Sequence, residues 1–163
     1  MNVVSINPTP LNLRQEVATE LTLFDWAAQH KQIRLANSVP ESLMALTDRQ
    51  MLISIFRNLL TNAIKFTNQG GQVTVAARVE TDGQLAVSIR DSGIGMSPEI
   101  LARLFDLTGQ AYRRGTGGEP SSGLGLVICR QLVEKLGGRI WAESVENHGT
   151  TFYFTLPVYN QEA

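Results

Sequence analysis

The chain has 163 residues, of which 43% are hydrophobic and 18% charged, and its formal net charge is −1. This composition predicts a globular protein with one domain and a substantial core, and the near-zero charge gives no reason to expect nucleic acid or an anionic membrane as a partner. No apolar run approaches the roughly 20 residues that span a bilayer, and residues 1–10 lack the charged and apolar regions of a signal peptide. We therefore expect a soluble, cytoplasmic chain without direct membrane contact, although its parent protein can still be membrane-bound.

Cys129 is the single cysteine, and it falls within an apolar helical pattern. One cysteine excludes an internal disulfide and any multi-cysteine metal site. The pattern predicts a buried structural thiol, which fits a reducing environment.

The first part of the chain predicts a lead segment, a helix and two short strands. Residues 1–10 contain two X-Pro steps that favour extended backbone, so we interpret them as the end of a linker and expect the domain at residues 11–163. Apolar residues at spacings of three and four predict an amphipathic helix over residues 13–30. Short strands are expected at residues 33–35 and 43–46, on either side of a turn.

The clearest helical pattern follows Asp48, a good N-cap residue. At about 100° per residue, Asn58, Asn62 and Lys65 fall on one line beside the apolar stripe of this helix. Such a polar face is often merely solvated. Asparagine is, however, a poor helix former, and its occurrence twice one turn apart favours a functional interpretation.

A predicted antiparallel hairpin over residues 73–90 ends at Asp91, so a carboxylate lies where a strand becomes a loop. Gly93 and Gly95 follow, and glycine permits positive φ or close approach to a flat ligand. Taken alone, this Asp-x-Gly-x-Gly pattern favours an ordinary strand-to-helix turn over the floor of a nucleotide pocket.

A short helix is expected through residues 101–105, after Ser97 as its N-cap. Residues 108–122 are too long and too glycine-rich for an ordinary connection, and they contain Arg113 and Arg114. They fit a mobile basic lid or a disordered insertion, and the sequence leaves both open.

Residues 121–126 (SSGLGL) place glycines at the start of another amphipathic helix, which ends before Gly137. Unpaired amide groups and the positive end of the helix dipole suit a phosphate at such a position. Alternating apolar residues predict a terminal hairpin over residues 140–156.

In this order, the motifs resemble the ATP-binding catalytic domain of sensor histidine kinases, within the group that includes gyrase, Hsp90 and MutL. Residues 58–67 (NLLTNAIKFT) match the N-box of that family, residues 91–96 (DSGIGM) its first glycine box and residues 123–126 (GLGL) its second. The resemblance covers residues 10–157. It implies an α/β (α+β) two-layer sandwich, with a mixed, largely antiparallel sheet of about five strands, about three helices on one face and a lid over the nucleotide.

The resemblance also implies how ATP and Mg²⁺ are bound. Asp91 would accept a hydrogen bond from the adenine amino group, because an ionised carboxylate is purely an acceptor. Gly93 and Ile94 would lie against the base, and Thr150 would hold it from the opposite side. Asn62 would place its amide oxygen on Mg²⁺, a hard cation that prefers oxygen ligands.

At the phosphate end, the resemblance implies that Asn58 flanks the metal, that Lys65 reaches a phosphate, and that Gly123 and Gly125 cradle the phosphate chain. The further binding positions implied by the motifs are Phe66, Gly95, Met96, Phe105, Ser122, Leu124 and Leu126.

The reaction implied is transfer of the γ-phosphoryl group to a histidine rather than to water. Hydrolytic members of the group carry a glutamate where this chain has Asn58, and an amide cannot act as a general base. The acceptor histidine of the family lies on a separate dimerisation helix hairpin of the parent protein, and a response regulator follows in the two-component phosphorelay. His30 and His148 lack the acidic neighbour and helical setting of that acceptor, so we predict that they are structural or exposed.

Two departures from the family pattern stand out. Residues 107–109 follow Phe105 where a second aromatic is common, and Ser121-Ser122 replaces the usual Gly-Thr while keeping a hydroxyl.

Two other classes of function remain open from the sequence: an ATP-gated clamp or hydrolase, and an ATP-binding regulatory pseudokinase. A serine kinase is a weaker variant.

Overall fold

The computed structural model of the chain describes residues 5–105, 115–116 and 124–160. Within these ranges no helix is both long and apolar enough to cross a membrane. In chain order the elements are β1 (Thr9–Asn12), α1 (Leu13–His30), β2 (Arg34–Asn37), β3 (Met44–Thr47), α2 (Arg49–Phe66), β4 (Gln72–Val79), β5 (Gln84–Asp91), α3 (Pro98–Ala102), α4 (Leu124–Lys135), β6 (Ile140–Val145) and β7 (Gly149–Pro157).

Five strands form the main sheet in the order β2-β4-β5-β7-β6. The β2–β4 pair is parallel and the other three pairs are antiparallel, so the sheet is mixed and largely antiparallel, as predicted. Strands β1 and β3 form a separate two-stranded antiparallel sheet.

The core lies between the main sheet and the helices. Along β5, Leu85, Val87 and Ile89 are fully buried, whereas Arg90 on the opposite face is exposed. The alternation places one face of the sheet against the helices and leaves the other open. The ring of Phe56 on α2 meets that of Phe154 on β7 edge to face, with centroids 5.6 Å apart. Burial of each such ring contributes about 1.5–3 kcal/mol. The sheet packed against helices confirms the predicted two-layer sandwich.

Two ion pairs join α1 to α2. Glu16 accepts from Arg49 at 2.8 Å, and Glu20, which is buried, accepts from Arg57 at 3.0 Å. The buried carboxylate makes the second pair costly to break, since removing one partner would leave a charge in the interior.

Strand β1 is absent from the prediction, which treats residues 1–10 as an extended lead. Pro10 lies opposite Leu46 of β3, and Leu11 beside it is buried. Proline is tolerated in an edge strand, but X-Pro steps favour extended backbone in a linker as well as in a strand, so the local pattern does not distinguish the two. The predicted strands near residues 33–35 and 43–46 do exist, but they belong to different sheets.

The short helix begins where the Ser97 cap predicts, but it ends earlier than expected. Ser97 caps α3 as predicted, its side chain accepting from the Ile100 N–H, but the helix stops at Ala102. The Arg103 N–H bonds to the Ile100 carbonyl, three residues back. This tighter bond ends the α-helical pattern, so residues 103–105 form a turn.

Both expectations about the cysteine and the histidines hold. Cys129 is fully buried against α2, with its Sγ 3.7 Å from the Ile55 carbonyl oxygen, and burial raises the pKa of its thiol to about 12. His30 is exposed and stacks on Trp26. His148 is exposed in the β6–β7 turn.

Asp48 caps α2 and also binds the incoming chain. Its Oδ1 accepts the Met51 N–H at 3.1 Å, and its Oδ2 accepts the Asn7 N–H at 2.9 Å. These backbone hydrogen bonds, that of Asn7 foremost, hold the pKa of the Asp48 carboxyl below its usual value, because they favour the ionised form.

We predict that Asp48→Ala lowers the free energy of unfolding by about 1 kcal/mol, the usual cost of losing an N-cap. Asp48→Asn should lose less at neutral pH, since asparagine also caps. Because the folded-state pKa lies below the unfolded one, the advantage of Asp48 over asparagine is present above about pH 3.9 and lost as the pH falls through the folded-state pKa. Urea unfolding at several pH values checks this. A pH-independent difference would contradict it.

Candidate nucleotide site

Asp91 lies at the end of β5, directly opposite Thr150 of β7. The side chain is buried, and its Oδ1 accepts the Gly93 N–H at 2.9 Å and the Thr150 N–H at 3.2 Å. Two backbone donors, one in the loop after β5 and one on β7, therefore fix the carboxylate in one orientation. The predicted pair Asp91 and Thr150 is brought together by sheet register.

The glycine loop after β5 is clamped between α2 and the β6–β7 turn. The Ile94 N–H donates to the Phe66 carbonyl at 3.0 Å, and the Ile94 carbonyl accepts the Asn147 N–H at 2.7 Å. A Cβ on Gly93 would overlap the Phe66 carbonyl, and one on Gly95, whose φ is +65°, would overlap the Val145 carbonyl. Both glycines are thus required by close backbone approach.

Ser144 supports the same region and was not identified from the sequence. Its hydroxyl donates to the Gly149 carbonyl at 3.0 Å, accepts the Met96 N–H at 2.8 Å and lies 2.8 Å from Thr150 Oγ1. Since its single proton goes to Gly149, the Thr150 hydroxyl is the donor between the two side chains. Thr150 Oγ1 then presents acceptor lone pairs. A serine in the inward register of β6 is the signal that could have revealed it.

On α2, the predicted line of Asn58, Asn62 and Lys65 is half-buried at the edge of the core. The Asn58 amide nitrogen donates to the Ser54 carbonyl at 2.9 Å. Its oxygen faces the start of α4, where a Cβ added to Gly125 would lie 2.8 Å from it. The helix with two asparagines and the start of α4 therefore face each other, and glycine at 125 allows the close approach to Asn58.

The other predicted binding residues are placed as follows. Phe66, Met96 and Leu126 are buried, Ile94 and Phe105 are half-buried, and Leu124 is exposed. Ser122, Gly123 and most of residues 108–122, including Arg113 and Arg114, lie outside the described residues.

Phe105 borders a different cavity from the one expected. Its ring packs edge to face on Phe152, with centroids 6.4 Å apart, and it lines a cavity of about 390 Å³ together with Arg139 and Trp141. Its contact with a nucleotide stays a prediction.

Within the described part of the chain, no group of three or more His, Cys, Asp or Glu side chains could hold a metal ion. A divalent cation here would rely on asparagine amide oxygens, phosphate oxygens and water. That donor set fits Mg²⁺, which usually keeps several waters and takes few protein ligands beside substrate phosphates.

A family model described as the histidine kinase-, DNA gyrase B- and HSP90-like ATPase matches residues 47–160. The chain belongs to this family. Residues 47–160 contain the Asp91 strand end, the glycine loop and the facing helices α2 and α4.

Curated relatives of this ATPase domain include sensory kinases. It is 34% identical over 149 residues to the adaptive-response sensory kinase SasA of Microcystis aeruginosa, covering 91% of this chain and 38% of that protein. It is 37% identical over 155 residues to the sensor protein GacS of Pseudomonas syringae pv. syringae, covering 90% of this chain and 17% of that protein. The chain thus spans well under half of the length of either relative.

Solved structures of histidine kinases share the fold of this ATPase domain. The catalytic domain of histidine kinase ThkA superposes with a TM-score of 0.78 at 29% identity, covering 93% of this chain and 95% of that one. Full-length ShkA in complex with AMPPNP gives a TM-score of 0.82 at 27% identity, covering 99% of this chain and 33% of that one. ThkA in complex with the response regulator protein TrrA gives 0.76 at 25% identity, covering 97% and 44%.

We predict that Ser144→Ala lowers the free energy of unfolding by about 1–3 kcal/mol, because it leaves the Met96 N–H and the Gly149 carbonyl without their hydroxyl partner. Ser88→Ala, on the open face of β5, is the matched control and should stay within about 0.5 kcal/mol. Urea unfolding measures both, and amide exchange at Met96 should quicken in Ser144→Ala alone. Equal effects of the two substitutions would contradict the assignment.

Proposed function

We propose that the chain binds ATP with Mg²⁺ and donates the γ-phosphoryl group to a histidine on a separate dimerisation domain, as the catalytic domain of a two-component sensor histidine kinase. The observation that carries the proposal is the convergence of three features. These are a buried carboxylate fixed by two amides, a glycine loop bonded to the end of α2, and two helices that meet at Asn58 and Gly125.

At the base end, Asp91 accepts the adenine amino group. Its orientation is set before ligand arrives, because Gly93 and Thr150 already hold Oδ1. Thr150 Oγ1, with its proton directed to Ser144, adds a second acceptor on the adjacent strand. A base that presents an amino donor is favoured over one that presents a carbonyl there. The absence of side chains at Gly93 and Gly95 keeps the loop backbone in place against Phe66 and Val145.

At the phosphate end, Asn62 provides the amide oxygen for Mg²⁺, with Asn58 beside it. When bound, the metal neutralises charge on the phosphate oxygens and helps to align the γ-phosphoryl group. Lys65 contributes a cation to the phosphates from the last turn of α2. The N-terminal end of α4, with Gly125 in its first turn, offers amide groups and a positive dipole.

Asn58 favours transfer to an external nucleophile over hydrolysis. Its amide nitrogen is bonded to Ser54 within its own helix, and its oxygen faces Gly125. An amide does not accept a proton at neutral pH, so this position cannot activate water. Positioning and charge neutralisation then carry the catalysis.

The partners that follow are a dimerisation helix hairpin of the parent protein and a downstream response regulator. Support comes from the similarity to SasA and GacS, of which this chain covers only a part. Further support comes from the ThkA complex with the response regulator TrrA. A cytoplasmic location is part of the same proposal.

We expect Asp91→Asn to weaken ATP binding about tenfold to a hundredfold, since a hydrogen bond to a charged acceptor contributes about 1.5–3 kcal/mol. Asparagine keeps an oxygen for the two amides, so the fold is retained. Asp82→Asn, in the β4–β5 turn, is the matched control and should bind ATP like the parent. Isothermal titration calorimetry measures all three. Parent-like binding by Asp91→Asn would contradict the adenine role.

Asn62→Ala should chiefly remove the metal dependence of binding, because it deletes the amide oxygen proposed for Mg²⁺. The measurement is ATP titration with Mg²⁺ and with EDTA. We expect the two affinities to differ in the parent and to converge in the variant. A variant that keeps the full difference would show that Asn62 is not a ligand.

Mixed with the dimerisation hairpin of its parent protein and ATP, the chain should produce acid-labile, base-stable phosphate on that hairpin. A hairpin whose acceptor histidine is replaced by glutamine is the control and should remain unlabelled. Acid-stable product would indicate a hydroxyl acceptor. ATP bound without transfer would favour a regulatory module, and fast ATP turnover by the chain alone would favour a hydrolase.

A further inference from the structure

The last turn of α2 ends in carbonyl groups that the helix itself cannot satisfy. The C-cap residue Thr67 and more distant parts of the chain bind them, and we call residues 63–67 the carbonyl cluster. Thr67 Oγ1 donates to the Ala63 carbonyl at 2.6 Å, and Lys31 Nζ donates to the Ile64 and Lys65 carbonyls at 2.9 Å each. The Ile94 N–H donates to the Phe66 carbonyl at 3.0 Å, and Thr116 Oγ1 donates to the Thr67 carbonyl at 2.9 Å.

Lys31 reaches this cluster from the end of α1. It directly follows the helix, and its backbone N–H bonds to carbonyls of the last turn. The Glu16–Arg49 and Glu20–Arg57 ion pairs hold α1 against α2. The position of the Lys31 ammonium relative to α2 is therefore fixed. A cation at the C-terminal end of a helix is also favoured by the helix dipole.

The Lys65 carbonyl is the centre of the cluster, because two residues from distant parts of the chain, Lys31 and Thr116, donate to it. Lys31 Nζ and the Thr116 N–H each lie 2.9 Å from this oxygen. Thr116 is one of the two described residues between Phe105 and α4, and both its amide and its hydroxyl bond to the end of α2. Lys65 is also the residue whose side chain we propose as a phosphate ligand.

We infer that Lys31 is a positioning residue for the phosphate end of the site. By donating to the Ile64 and Lys65 carbonyls, it fixes the turn that carries the Lys65 side chain. It also fixes the Lys65 carbonyl, which accepts the Thr116 N–H. It acts through the backbone and does not itself touch the nucleotide. The inference rests on the proposed function, since it requires that the phosphates lie against Lys65.

A purely structural role would lower stability without changing the preference of the site for phosphates. The decisive measurement is therefore the ratio of ATP affinity to adenosine affinity. Adenosine tests the Asp91 end alone, whereas ATP tests both ends. Loss of Lys31 should lower this ratio, because the phosphate end is disturbed and the base end is not.

The experiment compares Lys31→Met, Lys31→Arg and the control Lys135→Met by calorimetry with ATP·Mg²⁺ and by ligand-observed NMR with adenosine. Lys135 is an exposed lysine in the last turn of α4. We expect Lys31→Met to weaken ATP binding about tenfold, the lower end of the loss seen when a group that orients a metal ligand is removed. Adenosine affinity should be kept, Lys31→Arg should restore most of the ATP affinity, and Lys135→Met should match the parent.

Amide exchange supplies a second readout. Lys31→Met should quicken exchange of the Thr116 amide, which shares the Lys65 carbonyl, and leave that of Thr150 unchanged. If Lys31→Met does not fold, Lys31→Gln keeps one donor group and should show an intermediate loss of ATP affinity. An unchanged ATP-to-adenosine ratio in a folded Lys31 variant would overturn the inference while leaving the proposed function intact. A parent chain that binds no ATP would overturn both.

Discussion

The hydrogen bond from the Ile94 N–H to the Phe66 carbonyl joins the two halves of the candidate site. It holds the loop after Asp91 on the end of α2, the helix that carries Asn58, Asn62 and Lys65. The approach is possible because Gly93 has no Cβ to collide with the same carbonyl. A side chain there would separate the carboxylate from the helix, so one missing methyl group sets the geometry on which the proposed recognition of base and phosphates depends.

Around this contact, backbone amides and a serine hydroxyl hold the candidate site in place. Amides of Gly93 and Thr150 orient Asp91, and Ser144 ties Met96 to the β6–β7 turn. A network of this kind has little freedom to relax, because each donor has a defined acceptor. Such pre-organisation suits phosphoryl transfer, where alignment and charge neutralisation provide most of the rate.

The end of α2 also connects the site to the rest of the domain. Three residues from other parts of the chain donate hydrogen bonds to its carbonyls. They are Lys31 after α1, Ile94 in the glycine loop and Thr116 before α4. At the opposite end of the same helix, Asp48 holds the incoming chain through Asn7. One helix therefore links the N-terminal segment at Asn7 to the residues proposed for the metal and phosphates. Contacts from several parts of the fold therefore fix the position of α2.

The amino-acid sequence by itself determined the local elements and the chemistry they carry. Periodicity gave α1, α2 and both hairpins, and the placement of Asp91 at a strand end and of two asparagines on one helix line followed from the same patterns. These features depend on neighbours within a few residues. Tertiary structure alone decided β1, whose four residues need β3 as a partner, and the support of the site by Ser144 and Lys31. Those contacts join residues 48 and 33–34 positions apart, and no local pattern encodes them because hydrogen bonds at such separations exist only once the chain has folded.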